Sequence, residues 1–238
     1  MQIKEQKIKE LNILYDADEF VKPEPRLFEL TYLEEAGLLE RCVAAGRGAV
    51  IFFSWQSKRY VLRHYQRGGL MATLLGDRYF FGGVQRSRAW REWLLLQELH
   101  QLGLPVPQPL AARVIRSGLF YRADLITAQI EGTQTLGECL LQAGLSASLW
   151  REVGVVVRRF HDLGVFHADL NLNNILLDNQ GAVYLLDFDK GERRRVKLDW
   201  QQANLARLLR SLQKQKRARP ETQFSAFDWQ VLLAGYGA

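Results

Sequence analysis

The sequence predicts an α+β protein, strand-rich in its first half and helix-rich in its second. Residues 49–55 and 59–65 are β-branched and aromatic runs parted by Gln56, Ser57 and Lys58, the pattern of a hairpin. Residues 110–115 and 119–126 give a second strand pair. Residues 149–163 show helical periodicity instead, with Leu149, Trp150, Val153, Val156, Val157 and Phe160 sharing one face.

The remaining elements follow in order. Residues 68–83 are glycine-rich and read as a loop or short helix. A helix is expected over 86–102, ending at Gly103 and the cluster Pro105, Pro107 and Pro109. The second half begins near Gly132, and Gly164 stops the helix of 149–163. Short strands at 174–177 and 182–186 flank the turn 178–181. Helices are expected over 198–215 and 224–233. The whole reads as one domain with a first lobe of about 1–128 and a second of about 132–238, an α+β layout.

Composition narrows the class. With 47% hydrophobic residues in 238, the chain can build a sizeable core. The net charge of +6 suits an anionic partner, or is ordinary solubility charge. The basic residues form no stripe interleaved with aromatics, so nucleic acid is not an expected partner. No apolar leader opens the sequence, and no apolar run is long enough to span a membrane. Cys42 and Cys139 lack metal-type spacing and read as core residues of a reduced protein. Trp90 and Trp93 read as core, with a lipid-facing patch as the alternative.

Transfer of a phosphoryl group from a nucleotide needs an oriented hydroxyl relieved of its proton, magnesium against the phosphates, a cation to fix them and an apolar slot for the base. Residues 167–174 read His-Ala-Asp-Leu-Asn-Leu-Asn-Asn, and Asp187-Phe188-Asp189 follows the strand of 182–186. Asp169, in a loop, is the candidate base. Asn174 and Asp187 offer oxygens suited to magnesium. Asp189 would support a second ion or the loop. An Asp or Asn alone is as good a turn former as a catalyst. What joins them is the hairpin expected between Asp169 and Asp187.

These motifs resemble the catalytic loop and D-F-G of the protein-kinase-like fold, in the small-molecule branch that includes aminoglycoside phosphotransferases. The runs at 62–70 (LRHYQRGGL), 103–109 (GLPVPQP), 184–194 and 200–211 narrow the likeness. Together they resemble the 3-deoxy-D-manno-octulosonic acid (Kdo) kinase family of lipopolysaccharide core synthesis, over roughly residues 40–215. The resemblance implies ATP and Mg2+, and phosphorylation of the 4-hydroxyl of Kdo on a lipid A precursor. It implies a peripheral position at the cytoplasmic face of the inner membrane. Other acceptors of the same fold (another sugar, heptose, an antibiotic, a protein) and a non-catalytic nucleotide- or lipid-binding role stay open, as does oligomeric state.

In that fold the segment after D-F-D runs near the acceptor. Arg193, Arg194 and Arg195 therefore become candidates for the Kdo carboxylate and lipid A phosphates, or a solvated basic loop. The basic run 214–219 reads as a helix end or a membrane-surface patch. Gly46 and Gly48 resemble a shortened glycine-rich loop over the phosphates, and Val50 and Val61 would cover the adenine. Arg63 stands where the fold's V-A-I-K has its lysine, and a glutamate on the next helix should pair with it. Glu92 is preferred and Glu98 is the alternative. The hinge falls near Thr127 and Gln129, whose backbone would meet the adenine edge. His167 has a structural role in this resemblance, and His161 reads as a cap or core histidine.

Overall fold

The computed structural model describes residues 2–20, 23–45, 48–66 and 76–237. The chain divides into two compact units, Met1–Gln97 with Gln108–Gln129, and Glu98–Pro107 with Ile130–Ala238. A boundary drawn at 128 puts residues 98–107 in the first lobe. The Leu185 N–H donating to the Pro105 carbonyl at 3.0 Å instead ties them to the second unit.

The first unit is built on an 8-stranded antiparallel sheet. Its strands are β1 (Ile3–Ile8), β2 (Leu11–Asp16), β3 (Leu39–Ala45), β4 (Gly48–Trp55), β5 (Lys58–His64), β6 (Tyr79–Phe80), β7 (Pro109–Ser117) and β8 (Phe120–Ala128). The order is β1-β2-β7-β8-β5-β4-β3, with β6 added to β8. A two-residue turn closes β4–β5. Gln56 (φ 50°) and Ser57 (φ 62°) are both left-handed, the geometry that matches strand twist. Lys58 is therefore the first strand residue, opposite Trp55, not a turn residue.

Alternation gives this hairpin two faces. Ile51, Phe53, Tyr60 and Leu62 enter a core with Phe20, Leu27 and Leu33. Val50, Phe52, Val61 and Arg63 share the other face and are half-buried. Helix α1 (Leu30–Glu35) precedes β3, and α2 (Arg88–Gln101) follows a 3-10 turn at Val84–Arg86. Trp90 and Trp93 of α2 are buried, as core packing requires. Cys42 is exposed and Cys139 half-buried, which corrects the core reading. Cys42 lies on β3, which among the described residues is the edge strand of the sheet.

A buried charge network braces this sheet. Arg113 Nε donates to Asp124 Oδ2 at 2.8 Å, and its other nitrogens reach the carbonyls of Pro25 and Phe28. His64 Nδ1 meets the second Asp124 oxygen at 2.7 Å, and Nε2 meets Asp77 at 3.1 Å. Hydrogen bonding to Asp124 raises the His64 pKa.

The second unit holds α3 (Leu136–Gln142), α4 (Ala147–Asp162), α5 (Leu198–Ala218) and α6 (Ala226–Tyr236). Its strands are β9 (Thr133–Thr135), β10 (Val165–Phe166), β11 (Ile175–Asp178), β12 (Val183–Leu185) and β13 (Glu192–Arg193). They pair as β12-β11-β9 and β10-β13. Helix α4 starts at Ser146, whose hydroxyl accepts the Leu149 N–H. Trp150, Val153, Val156, Val157 and Phe160 are buried, and Leu149, in the first turn, is half-buried. Helices α4 and α6 meet at Gly154 and Gly235. A Cβ on either would come within 2.1 Å of a backbone oxygen of the other helix.

Candidate active site

In the second unit, local folding gathers the residues of the 167–174 loop around one imidazole. His167 is buried, with Nε2 2.7 Å from the Leu186 carbonyl and Nδ1 3.1 Å from the Asp169 backbone nitrogen. The Asp169 N–H must donate, so Nδ1 accepts and Nε2 carries the proton. The ring is therefore a neutral tautomer, and burial lowers its pKa accordingly. One side chain thus links the loop carrying Asp169 to the strand end preceding Asp187.

Asn174 adds a second link. Its Nδ2 donates to the Asp169 carbonyl at 2.9 Å, and its own carbonyl accepts the Leu186 N–H at 2.9 Å. Asn171 Nδ2 also donates to the Asp169 carbonyl, at 3.0 Å. Fixing Nδ2 in this way orients Oδ1 of Asn174 as the oxygen available to a ligand.

The Asp187-Phe188-Asp189 turn is held by its middle residue. Phe188 is fully buried, stacked 5.7 Å from Phe160 and packed at a tilt 4.7 Å from His167. With Phe188 turned inward, Asp187 and Asp189 are left half-buried. Asp187 adopts a left-handed backbone (φ 60°), which Asp tolerates better than most residues. The Asp169 carboxylate is 61% exposed, with Arg207 Nη1 3.7 Å from Oδ1. Arg207 was not singled out from the sequence, where it is one cation among several on an amphipathic helix.

His161 belongs to the core. Asn204 Oδ1 accepts the His167 N–H and sits 3.3 Å from His161 Nε2, while Tyr236 Oη is 2.8 Å from Nδ1. Burial pushes its pKa down to about 4.

In the first unit, Arg63 and Glu92 come together. Arg63 Nη2 pairs with Glu92 Oε1, and the Tyr65 hydroxyl donates to Oε2. Glu92 is 2% exposed. Glu98, the alternative, pairs instead with Arg193 at 2.7 Å in the second unit. Val61 faces Thr127 on β8 and Phe52 on β4, while Val50 faces Arg63. Gly48 begins β4, and Gly46 lies outside the described residues, as do residues 67–70 of the LRHYQRGGL run.

The expected hinge residues lie at the end of β8. Thr127 and Ala128 are inside β8. The Ala128 N–H donates to Gln108 O at 2.9 Å and the Gln129 N–H to Arg59 O at 3.0 Å. Backbone pairing thus engages both of these N–H groups.

Arg193 to Arg195 are exposed. Arg194 Nε pairs with Glu192 at 2.6 Å, and its guanidinium lies 3.5 Å from the Phe166 ring centroid. The Arg195 carbonyl accepts from Trp200 Nε1 at 3.0 Å.

Comparison with known proteins converges on one family. The model of the lipopolysaccharide kinase (Kdo/WaaP) family matches residues 40–236. A 3-deoxy-D-manno-octulosonic acid kinase of Vibrio vulnificus is 37% identical over 234 residues, 98% of each chain. The enzyme of that name from Actinobacillus succinogenes is 40% identical over 94% of this chain and 95% of its own. That from Photobacterium profundum is 44% identical over 81% of each. With its α+β kinase-like fold, the chain belongs to the lipopolysaccharide kinase (Kdo/WaaP) family and is a phosphotransferase acting on a hydroxyl group.

Proposed function

We propose that this kinase transfers the γ-phosphoryl group of ATP to the 4-hydroxyl of Kdo on a lipid A precursor. The observation that carries the reading is the His167 bridge, which joins the Asp169 loop to the Leu186 carbonyl one residue before Asp187. An acid for the acceptor hydroxyl and an acid for a metal are thereby held on adjoining, rigid backbone.

Asp169 accepts the proton of the attacking hydroxyl as the oxygen–phosphorus bond forms. Its exposed carboxylate can be reached by an acceptor from outside the protein. Asn174 Oδ1 and Asp187 would hold Mg2+. Hard oxygens fit that ion, and the orientation of the Asn174 amide supports this use. The site proposed is of the two-ligand kind, which relies on nucleotide phosphates for the rest. Bound Mg2+ would supply positive charge against those phosphates.

Arg63, steadied by Glu92 and Tyr65, takes the phosphate-pairing role usually given to lysine. Gly46, Gly48, Val50 and Val61 would lie over the nucleotide, with the backbone beyond Gln129 meeting the adenine edge. Arg193, Arg194 and Arg195 would bind the Kdo carboxylate and the lipid A phosphates. Among the described residues no helix is long and apolar enough to cross a membrane. A peripheral position at the cytoplasmic face of the inner membrane fits such an acceptor.

The test is incubation with labelled ATP, MgCl2 and Kdo-bearing lipid A precursor, followed by mass spectrometry locating the phosphate. Label on the Kdo 4-hydroxyl, lost with EDTA or in Asp169→Ala, is the expected result. Phosphate on heptose or on protein, with Kdo untouched, would overturn the acceptor assignment.

A further inference from the structure

Phosphoryl transfer leaves unused two exposed aliphatic side chains in the segment after the Asp187-Phe188-Asp189 turn. Val196 is 49% and Leu198 73% exposed. The backbone of Lys197 between them is extended (φ −150°, ψ 142°), so both side chains leave on the same side. Arg193, Arg194, Arg195 and Lys197 surround them, all exposed.

The segment is pinned along its length. β13 pairs with β10 through Val165↔Arg193 and Phe166↔Glu192. The Arg194 N–H donates to the Gly164 carbonyl at 2.7 Å. A Cβ on Gly164 would come within 2.2 Å of the Arg194 carbonyl, so the chain lies flat against a glycine turn. Buried Trp200 holds the far end through Arg195 O.

Apolar side chains fixed outward on a rigid backbone among cations match the chemistry of a bilayer interface. The aliphatic groups enter the boundary between headgroups and acyl chains, while long cationic side chains reach the phosphates. The nearby carboxylates offset only part of the charge. Glu192 pairs with Arg194, Glu98 pairs with Arg193, and Asp199 accepts the Trp200 N–H. Among the described residues neither Arg195 nor Lys197 forms an ion pair.

We propose that residues 193–198 form an interfacial strap that seats the kinase on an anionic phospholipid bilayer, with Val196 and Leu198 entering it. The inference rests on the proposed glycolipid acceptor and names the surface through which the enzyme reaches it.

The experiment is co-sedimentation of the full chain with vesicles of phosphatidylethanolamine and phosphatidylglycerol, against phosphatidylcholine vesicles. V196S/L198S should bind the anionic vesicles at least about tenfold more weakly. K197Q should bind them about fivefold more weakly, with the loss shrinking as salt rises. L119S, at a 75% exposed leucine of the first unit, is the control and should bind like the parent. V196S/L198S should keep the parent's thermal midpoint and its rate on a soluble, deacylated Kdo acceptor, yet lose rate on acceptor embedded in vesicles. Unchanged vesicle binding by V196S/L198S overturns the strap and leaves the kinase reading intact. So does loss of binding in L119S alone, or a parent that ignores vesicles but forms a dimer broken by V196S/L198S. A parent inactive on every Kdo acceptor sinks the function instead, whatever the vesicles show.

Discussion

His167 Nε2 donates to the main-chain carbonyl of Leu186 at 2.7 Å, while Nδ1 of the same ring accepts the Asp169 N–H. A histidine in this arrangement is a spacer between two acids, not an acid or base itself. Its neutral form is fixed by one donor and one acceptor, and Phe188 packs at a tilt against the ring.

Replacing His167 with alanine should therefore act on geometry. It removes both hydrogen bonds and opens a cavity beside Phe188, at a cost of about 2–4 kcal/mol of stability. Turnover should fall about 10- to 100-fold, because the Asp169 loop and the Asp187 turn lose their common support. The KM for ATP should change much less. Steady-state kinetics beside thermal unfolding would separate the effects. An unchanged kcat in a destabilised but folded H167A protein would reduce His167 to a packing residue.

Asp169→Asn should behave in the opposite way. The carboxylate is 61% exposed and its nearest cation, Arg207, is 3.7 Å away, so little stability is at stake. Unfolding free energy should stay within the ~0.5 kcal/mol typical of surface changes. Turnover should drop by about 10²–10⁴, the range for loss of a general base. Binding of an ATP analogue should persist, which titration calorimetry would read directly.

The Arg63–Glu92 pair tests the departure from the usual lysine. Glu92 is almost completely buried and bonds to both Arg63 and Tyr65. Glu92→Ala removes the buried carboxylate that both Arg63 and Tyr65 bond, and should cost about 3 kcal/mol. Arg63→Lys keeps the charge but loses the planar fork, so it should fold. Its KM for ATP should rise about tenfold, equivalent to ~1.4 kcal/mol. If Arg63→Lys instead matches the parent in KM, the guanidinium shape has no role in nucleotide binding.

The candidate site's local geometry was more legible than the frame around it. Asp169, Asn174 and Asp187 stood out because chemistry and spacing coincide within a short stretch, and β11–β12 supplies the expected hairpin between them. The preference for Glu92 over Glu98 followed from its place nearer the helix start. Strands β1 and β2 escaped notice because Ile3–Ile8 is charged and largely exposed, and an added edge strand needs no alternating apolar face. Helix α3 did carry a signal. Thr135 and Glu138 form a capping box, spaced as such boxes are, but the helix is only 7 residues long. The end of β8 was not legible, because strand ends are set by pairing partners such as Arg59, which no local pattern reveals. Arg113 was missed because a buried cation looks like any other arginine until Asp124 and the Pro25 and Phe28 carbonyls surround it.

Acid should destabilise this protein through His161. Burial pushes its pKa down to about 4, and a histidine freed by unfolding returns to about 6.5. Between those values the unfolded chain binds the proton and the folded chain does not, so stability rises with pH across the window. The contribution is complete above about pH 6.5 and is lost as the pH falls toward 4. At ~1.4 kcal/mol per pH unit the loss is about 3 kcal/mol, a fall in midpoint of the order of 5–10 °C. His167, also lowered by burial, acts in the same direction. His64 acts oppositely: the Asp124 bond raises its pKa, so its contribution is present at low pH and is lost as the pH rises through the folded value. Thermal unfolding from pH 4 to 8 of the parent and of His161→Gln isolates the first of these. The glutamine cannot titrate, so whatever its baseline stability, the acid slope should flatten by most of that amount. An unchanged slope would move the acid sensitivity to His167 or to the carboxylates.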